Sequence, residues 1–118
     1  MVIERIKPGH RLSAAVLHGD LVFTAGLVAQ DTTADVAGQT RQILDKLERL
    51  LVEVGSDKSM LLSATIWLAD IASYDEMNSV WDAWVVAGAP PARACVESKL
   101  AGPEYKVEIR AIAARATT

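Results

Sequence analysis

Cysteine and histidine are scarce in this sequence of 118 residues, whose only examples are Cys95, His10 and His18. A single cysteine excludes an internal disulfide framework and any cysteine-rich metal site. With so few nitrogen and sulfur ligands, a zinc site would need carboxylates as additional ligands. The spacing of the two histidines does not suggest a zinc site. Because no histidine lies at a recognisable spacing from Cys95, we also reject a Cys–His catalytic pair.

Clusters of positive charge are missing as well. The chain has 12 Lys and Arg against 15 Asp and Glu, a net charge of −3, and both signs are spread along it. Proteins that bind nucleic acids usually carry a basic stripe or patch that meets the phosphates. We therefore expect no nucleic-acid partner, and ribonuclease activity is the least favoured enzymatic interpretation.

No hydrophobic run is long. The longest, MLLSATIWLA at 60–69, falls well short of the roughly 20 apolar residues that span a bilayer as a helix. The N-terminal MVIERIKPGH is charged within a few residues and has no apolar core of a signal peptide. These features predict a cytoplasmic protein with no membrane partner.

Apolar residues, in contrast, are abundant: they make up 51% of the chain, which is high for a small domain. The length suits a single domain, 1–118. A domain of this size leaves much of its surface exposed. Part of the apolar excess is therefore predicted to face another subunit, which favours an oligomer.

Hydrophobic periodicity predicts the order β-β-β-α-β-α-β-β. Two apolar runs flank Gly19-Asp20, where glycine at the first central position suits a type II′ hairpin turn. The clearest helix ends at Gly55, and Ser73 with Glu76 reads as a capping box that opens the second helix. The last two strands, ARACVESKL and YKVEIRAIAARA, are predicted to form a hairpin through 101–103.

Two helices against one mixed sheet make a two-layer α+β sandwich. The helices cover one face of the sheet. The other face must also be covered, and a partner subunit is the simplest candidate.

The stretch PPARACVESKL, at 90–100, places Arg93, Cys95 and Glu97 on one face of a strand. One interpretation of Arg93 is an edge-strand residue paired with a surface carboxylate. The alternative is a bidentate grip on the carboxylate of a ligand, because the planar guanidinium matches both oxygens. Cys95 is typical of a small buried hydrophobe, although its backbone amide could contact a ligand.

Glu108 lies in KVEIRAIA, where alternation separates it from the face that carries Val107 and Ile109. If the predicted final hairpin is symmetric, Glu108 faces Arg93 across the two strands. A cross-strand ion pair of this kind contributes little when exposed. The functional alternative is that Arg93 holds an anionic substrate while Glu108 handles a proton or a water molecule.

Four other side chains could contact a ligand but have simpler interpretations. The tryptophans are expected in the core rather than in a ligand platform, and Asn78, inside the second helix, would ordinarily be solvated. The tryptophans are Trp67, Trp81 and Trp84.

Four stretches, in the same order along nearly the whole chain, resemble the RidA/YjgF family, also called Endoribonuclease L-PSP. They are GDLVFTAGLVAQD, GQTRQILDKLERLLVEVG, IWLADIASYDEMNSVWDAW and PPARACVESKLAGPEYKVEIRAIA, of which the last is the most specific. The resemblance implies a chorismate-mutase-like fold in a homotrimer, with the sheets forming an inner barrel and ligand clefts between subunits. It also implies hydrolysis of reactive enamines and imines, such as 2-aminoacrylate, to 2-oxo acids and ammonia, without a metal or organic cofactor.

The resemblance also implies roles for single residues. Arg93 matches the arginine that binds the substrate carboxylate, and Glu108 matches the glutamate that orients the attacking water. Backbone groups near Cys95 and near Gly26 are implied to line the cleft. Asn78, the asparagine of the helix motif, completes the candidate substrate-binding set.

The sequence departs from the family pattern at two places near this predicted cleft. Leu12 stands where the family's deaminases usually carry a tyrosine, and the family's Ser-Gly-Gln becomes Ala25-Gly26-Leu27. The leading interpretation is a trimeric enamine/imine deaminase. The alternatives are a relative that acts on another small catabolic acid, and a non-catalytic protein that binds small carboxylates through Arg93.

Overall fold

In the computed structural model, which describes residues 1–116, one mixed sheet carries two helices on one face, and this confirms the predicted α+β sandwich. The last two residues of the predicted domain lie outside this range. The strands are β1 (Ile3–Ile6), β2 (Ala15–His18), β3 (Leu21–Thr24), β4 (Leu61–Leu68), β5 (Ala92–Glu97) and β6 (Val107–Ala114). The helices are α1 (Val36–Glu53) and α2 (Tyr74–Trp84), and short 3₁₀ turns span Lys58–Met60 and Ile71–Ser73.

The strand order in the sheet is β1-β2-β3-β6-β4-β5. The predicted β5–β6 hairpin is therefore wrong, because β4 lies between these two strands. After β4, helix α2 carries the chain back so that β5 pairs with β4 in parallel. The connection at 98–106 then crosses β4, and β6 enters antiparallel to both β3 and β4.

The predicted hairpin between β2 and β3 is confirmed. His18 pairs with Leu21, so Gly19 and Asp20 form a two-residue turn. Gly19 has a φ of +62°, whereas Asp20 does not have a positive φ. This combination is the one that a type II′ turn requires, and it explains why glycine stands first.

Both ends of α1 are capped by local sequence. The Asp35 side chain accepts a hydrogen bond from the Gly38 amide at 2.8 Å, as an N-cap residue should. At the other end Gly55 has a φ of +84°, and the Ser56 amide donates to the Leu51 carbonyl at 2.8 Å. This pattern is a Schellman motif, and it confirms the predicted helix end.

The predicted capping box of α2 is wrong. The Ser73 hydroxyl donates to the Asp70 carbonyl at 2.6 Å, and the Glu76 carboxylate accepts from the Ala37 amide at 3.1 Å. The first turn of any helix leaves several amides without partners, and α1 presents one of them to Glu76. Glu76 therefore ties the start of α2 to the start of α1.

The two faces of the sheet differ in character. On the helix side of β6, Val107 and Ile109 are fully buried, together with the alanines that follow at the same spacing. On the opposite face, which we call the open face, Phe23 and Trp67 are half-buried and Val96 is 46% exposed. Within residues 1–116, no helix is long and apolar enough to cross a membrane.

Candidate functional site

Arg93 lies on the edge strand β5, half-buried beneath α2. Its Nη1 donates to Asn78 Oδ1 at 2.7 Å, and its Nη2 donates to the Tyr74 hydroxyl at 3.1 Å. Both acceptors belong to α2 and are spaced by four residues, so they lie on the same side of the helix. The side of α2 that faces β5 therefore fixes the guanidinium from two directions.

An aromatic contact completes this arrangement. The Arg93 Cζ lies 5.2 Å from the centre of the Trp81 ring and 5.8 Å from the centre of the Tyr74 ring. Both distances are within the range of cation–π attraction. Tyr74, Asn78 and Trp81 follow the spacing i, i+4, i+7, and we call these three residues the Arg93 cradle.

The cradle contains no charged group. Within residues 1–116 the ion pairs are Lys7–Glu53 and Lys58–Glu48, and neither includes Arg93. Among these residues of a single chain, Arg93 therefore does not form the ion pair with a surface carboxylate that one interpretation predicted. Its positive charge is held by neutral acceptors, and no carboxylate oxygen of residues 1–116 lies within 4.0 Å of it, although Asp75 lines the same cleft.

An open cleft of about 600 Å³ lies beside Arg93. It is lined by Ile71, Ala72, Tyr74, Asp75, Arg93 and Cys95. Burial raises the pKa of the Cys95 thiol, and the opposing effect of the Arg93 guanidinium is smaller. The thiol is therefore protonated near neutral pH, which agrees with the rejection of Cys95 as a nucleophile.

Glu108 projects from β6 onto the open face, where its carboxylate lies over Gly26. A methyl group built on Gly26 would lie 3.0 Å from the Glu108 Cδ and would overlap one carboxylate oxygen. Leu27 and Ile109 exchange two backbone hydrogen bonds, of 2.8 and 3.0 Å. This bridge holds Gly26 beside Glu108, so only a residue without a side chain leaves room for the carboxylate.

A second cleft, of about 380 Å³, surrounds Glu108 on the open face. Its lining includes Arg110 and Trp67, and also Leu12, Ala25 and Gly26. Leu12 and Ala25, one from each departure from the family pattern, thus line the same cleft as the predicted water-orienting residue, whereas Leu27 does not. They make that cleft more apolar than the family pattern predicts.

The structure does not bring Arg93 and Glu108 together within one chain. On β4, Ala64 pairs with Arg93, whereas Trp67 pairs with Glu108. Arg93 contacts α2 on the helix side of the sheet, and Glu108 lies on the open face. The predicted cross-strand contact between them is therefore wrong, and a site containing both groups requires two copies of the chain.

The other candidates divide between these two places. Gly26 adjoins Glu108, whereas Cys95 and Asn78 lie near Arg93. Asn78 is not simply solvated as expected, because it binds the guanidinium. The sequence analysis missed Tyr74, although its position four residues before Asn78 was a usable signal.

The tryptophans occupy three different environments. Trp81 is only 5% exposed, so the prediction of a core position is confirmed for it. The Trp84 indole is partly buried and donates to a Glu48 carboxylate oxygen at 2.9 Å. Trp67 lines the cleft around Glu108, contrary to expectation. Across residues 1–116, no three His, Cys, Asp or Glu side chains are grouped so as to hold a metal ion.

Comparison with known proteins gives consistent matches. The family model described as Endoribonuclease L-PSP matches residues 2–115. A RutC family protein of Haemophilus influenzae is 46% identical over 114 residues, which are 96% of this chain and 98% of that protein. The crystal structure of a YjgF family member from Neisseria meningitidis superimposes with a TM-score of 0.96 at 45% identity, covering 100% of this chain and 98% of that chain.

A more distant match carries a functional name. The 2-iminobutanoate/2-iminopropanoate deaminase of Escherichia coli strain K12 is 29% identical over 104 residues, which are 82% of this chain and 81% of that protein.

Proposed function

This chain belongs to the Endoribonuclease L-PSP family, the RidA/YjgF family that its motifs resemble, and from that premise we propose that it hydrolyses reactive 2-enamino and 2-imino acids. The products are 2-oxo acids and ammonia. Family membership supports a general role of the RidA type. The particular reaction proposed here is supported by the relative that is named 2-iminobutanoate/2-iminopropanoate deaminase, at 29% identity.

The observation that carries the proposal is the state of Arg93. Its guanidinium is half-buried beside a cleft, fixed by Asn78 and Tyr74, and without a carboxylate partner among residues 1–116. A guanidinium in this state can make two parallel hydrogen bonds to one carboxylate. The common feature of 2-imino and 2-oxo acids is such a carboxylate, adjacent to the reacting carbon.

Glu108 is proposed to handle the water molecule and its protons. The carbon of a protonated imine is electrophilic, so water can add to it once Glu108 accepts one of the water protons. Returning that proton to nitrogen turns the amine into a leaving group. The C–N bond then breaks as the hydroxyl gives its proton back to Glu108, which releases ammonia and leaves the carbonyl of the 2-oxo acid. An enamine enters the same route after gaining a proton on carbon, which converts it to the imine.

Two physical effects would lower the barrier of the proposed reaction. Holding the imine and the water in place can lower the barrier by several kcal/mol. General acid–base catalysis adds a factor of roughly 10²–10⁴. Because imines of this kind are already activated, the proposed activity relies on binding, positioning and proton transfer.

The proposed site is assembled between subunits of a homotrimer. Arg93 and Glu108 lie on opposite faces of the sheet in one copy, so a neighbouring copy would supply the second group. The open face also leaves Val96 46% exposed and Phe23 and Trp67 only half-buried. Apolar surface of this kind is typical of obligate interfaces, which resemble a protein core cut in half.

We expect a trimer in solution. Light scattering coupled to size exclusion should give about three times the chain mass of 12.7 kDa, because covering the open face removes apolar surface from water. A monomer whose mass does not change with concentration would contradict both the assembly and the shared cleft.

The proposed activity is tested by a coupled assay. A pyridoxal-phosphate enzyme generates 2-iminopropanoate, and the initial rate of pyruvate release is followed with and without this protein. The rate without it is the blank, since imines also hydrolyse in water. We expect acceleration proportional to protein concentration, and no acceleration at any concentration would contradict the deaminase assignment.

One observation favours a second candidate, a non-catalytic protein that binds small carboxylates. Leu12 and Ala25 line the Glu108 cleft and lack the hydroxyl groups of the family pattern, whereas the Arg93 cradle holds a guanidinium suited to a carboxylate. The same departures fit a relative that turns over another small acid. Binding of 2-oxo acids without hydrolysis of any imine tested would favour the non-catalytic candidate.

A further inference from the structure

We propose that the neutrality of the Arg93 cradle is itself functional: Tyr74 and Asn78 are positioning residues that orient the guanidinium while leaving its charge available to an anionic ligand. This inference rests on the proposed function in one respect, the assignment of Arg93 to a ligand carboxylate. It extends that function by naming the residues that make Arg93 competent to bind.

The hydrogen bonds leave the guanidinium with free donors. A guanidinium has five N–H groups, and the cradle acceptors take one on Nη1 and one on Nη2. The Trp81 ring centre lies 5.2 Å from the Arg93 Cζ, and its indole nitrogen is a donor rather than an acceptor. The cradle therefore fixes the position of Arg93 and still leaves N–H groups for a ligand.

Neutral acceptors also compete less strongly than a carboxylate would with the ligand for the Arg93 guanidinium. A carboxylate in the place of the Asn78 amide would form a charge-assisted hydrogen bond, which is roughly twice as strong as a neutral one. Such an internal partner would occupy the donors that the ligand needs and would offset the charge that attracts it. An amide oxygen orients Arg93 without either effect.

The acidic residues next to the cradle, Asp75 and Glu76, do not form an ion pair with Arg93. Asp75 and Glu76 lie in the first turn of α2, between the cradle positions. Neither is within 4.0 Å of the guanidinium, and Glu76 instead accepts from the Ala37 amide. Asp75 therefore lines the cleft without forming an ion pair with Arg93, and the side chains that hold the guanidinium are uncharged.

Tyr74 contributes a further donor. Its hydroxyl oxygen accepts from Arg93 Nη2, so its own proton is free to donate elsewhere. The residue is 40% exposed and lines the cleft beside Arg93. A carboxylate bound there would meet the guanidinium and the phenol together.

The decisive variant is Asn78→Asp, which keeps the shape and the acceptor but adds a charge. We expect it to weaken binding of 2-oxobutyrate by roughly 10-fold or more, as measured by titration calorimetry, while the melting temperature is unchanged or raised. A purely structural Asn78 predicts the opposite, since a stronger acceptor would leave ligand binding intact. Wild-type-like binding by Asn78→Asp would overturn the proposal.

A control and a second variant keep the test sharp. Ser79→Asp adds the same charge at the next, exposed position of α2 and should leave binding of 2-oxobutyrate unchanged. An equal loss of affinity in Ser79→Asp would show that net charge alone causes the effect, and it would overturn the proposal. Tyr74→Phe removes only the hydroxyl and should weaken 2-oxobutyrate binding roughly 5-fold. If Asn78→Asp fails to fold, unchanged binding by Tyr74→Phe overturns the proposal.

These measurements separate the inference from the deaminase activity. Calorimetry with 2-oxobutyrate requires no turnover. A wild-type protein that binds the acid but does not accelerate imine hydrolysis would contradict the proposed function and leave the binding pattern of the variants as a valid test of the cradle.

Discussion

Replacing Arg93 with lysine or alanine should weaken the binding of pyruvate or 2-oxobutyrate by roughly 10²-fold or more, without dissociating the assembly. Hydrogen bonds to charged groups contribute about 1.5–3 kcal/mol each, and the proposed clamp makes two. Lysine keeps the charge but offers a point donor in place of a planar fork, so Arg93→Lys should lose most of the effect. Titration calorimetry measures the affinity, and light scattering measures the mass.

Arg41→Lys is the matched control, because Arg41 is an exposed arginine of α1. Normal binding by both Arg93 variants would show that the clamp assignment is wrong. Monomeric Arg93 variants would instead make Arg93 an assembly residue. The apolar residues of the open face are unchanged in these variants, so we expect the trimer to persist.

Glu108→Gln should lower the rate of imine hydrolysis by roughly 10²-fold or more and change the affinity for a 2-oxo acid little. Glutamine keeps the shape of the side chain but cannot accept the water proton. The coupled pyruvate assay gives the rate, and calorimetry gives the affinity. Glu53→Gln, on the exposed side of α1, is the control, and an equally active Glu108→Gln would reduce Glu108 to a structural residue.

Gly26→Ala should displace the Glu108 carboxylate without changing Glu108 itself. The added methyl group overlaps a Glu108 carboxylate oxygen, which is the end of a flexible side chain and can move aside. We therefore expect the fold to survive while the carboxylate is displaced and the hydrolysis rate falls. A fully active Gly26→Ala would show that the position of this carboxylate is not critical.

Much of the fold follows from local sequence, because its causes act over a few residues. The order of strands and helices, the two-residue turn at Gly19-Asp20 and the end of α1 at Gly55 depend on periodicity and on backbone conformations that glycine favours. Alternation along β6 places Val107 and Ile109 against the helices and Glu108 on the other face. These predictions are confirmed because no distant partner competes with them.

The pairing of strands is decided differently. The last two strands are neighbours in sequence, and a hairpin was the simplest prediction. A strand sequence specifies which face is apolar but not which neighbour lies on either side. Here β6 gains a pairing partner on both sides by entering between β3 and β4, so that β4 separates it from β5. The register along β4, with Arg93 beside Ala64 and Glu108 beside Trp67, places the two side chains on opposite faces.

The capping of α2 and the state of Arg93 were also decided by tertiary structure. Glu76 fits a local capping box, yet a free amide of α1 comes within its reach. The sequence by itself determined that β5 carries an arginine suited to a carboxylate and that β6 turns a glutamate away from the core. Only packing α2 over β5 determined that neutral side chains hold that arginine, because contacts between distant segments depend on where the chain folds back.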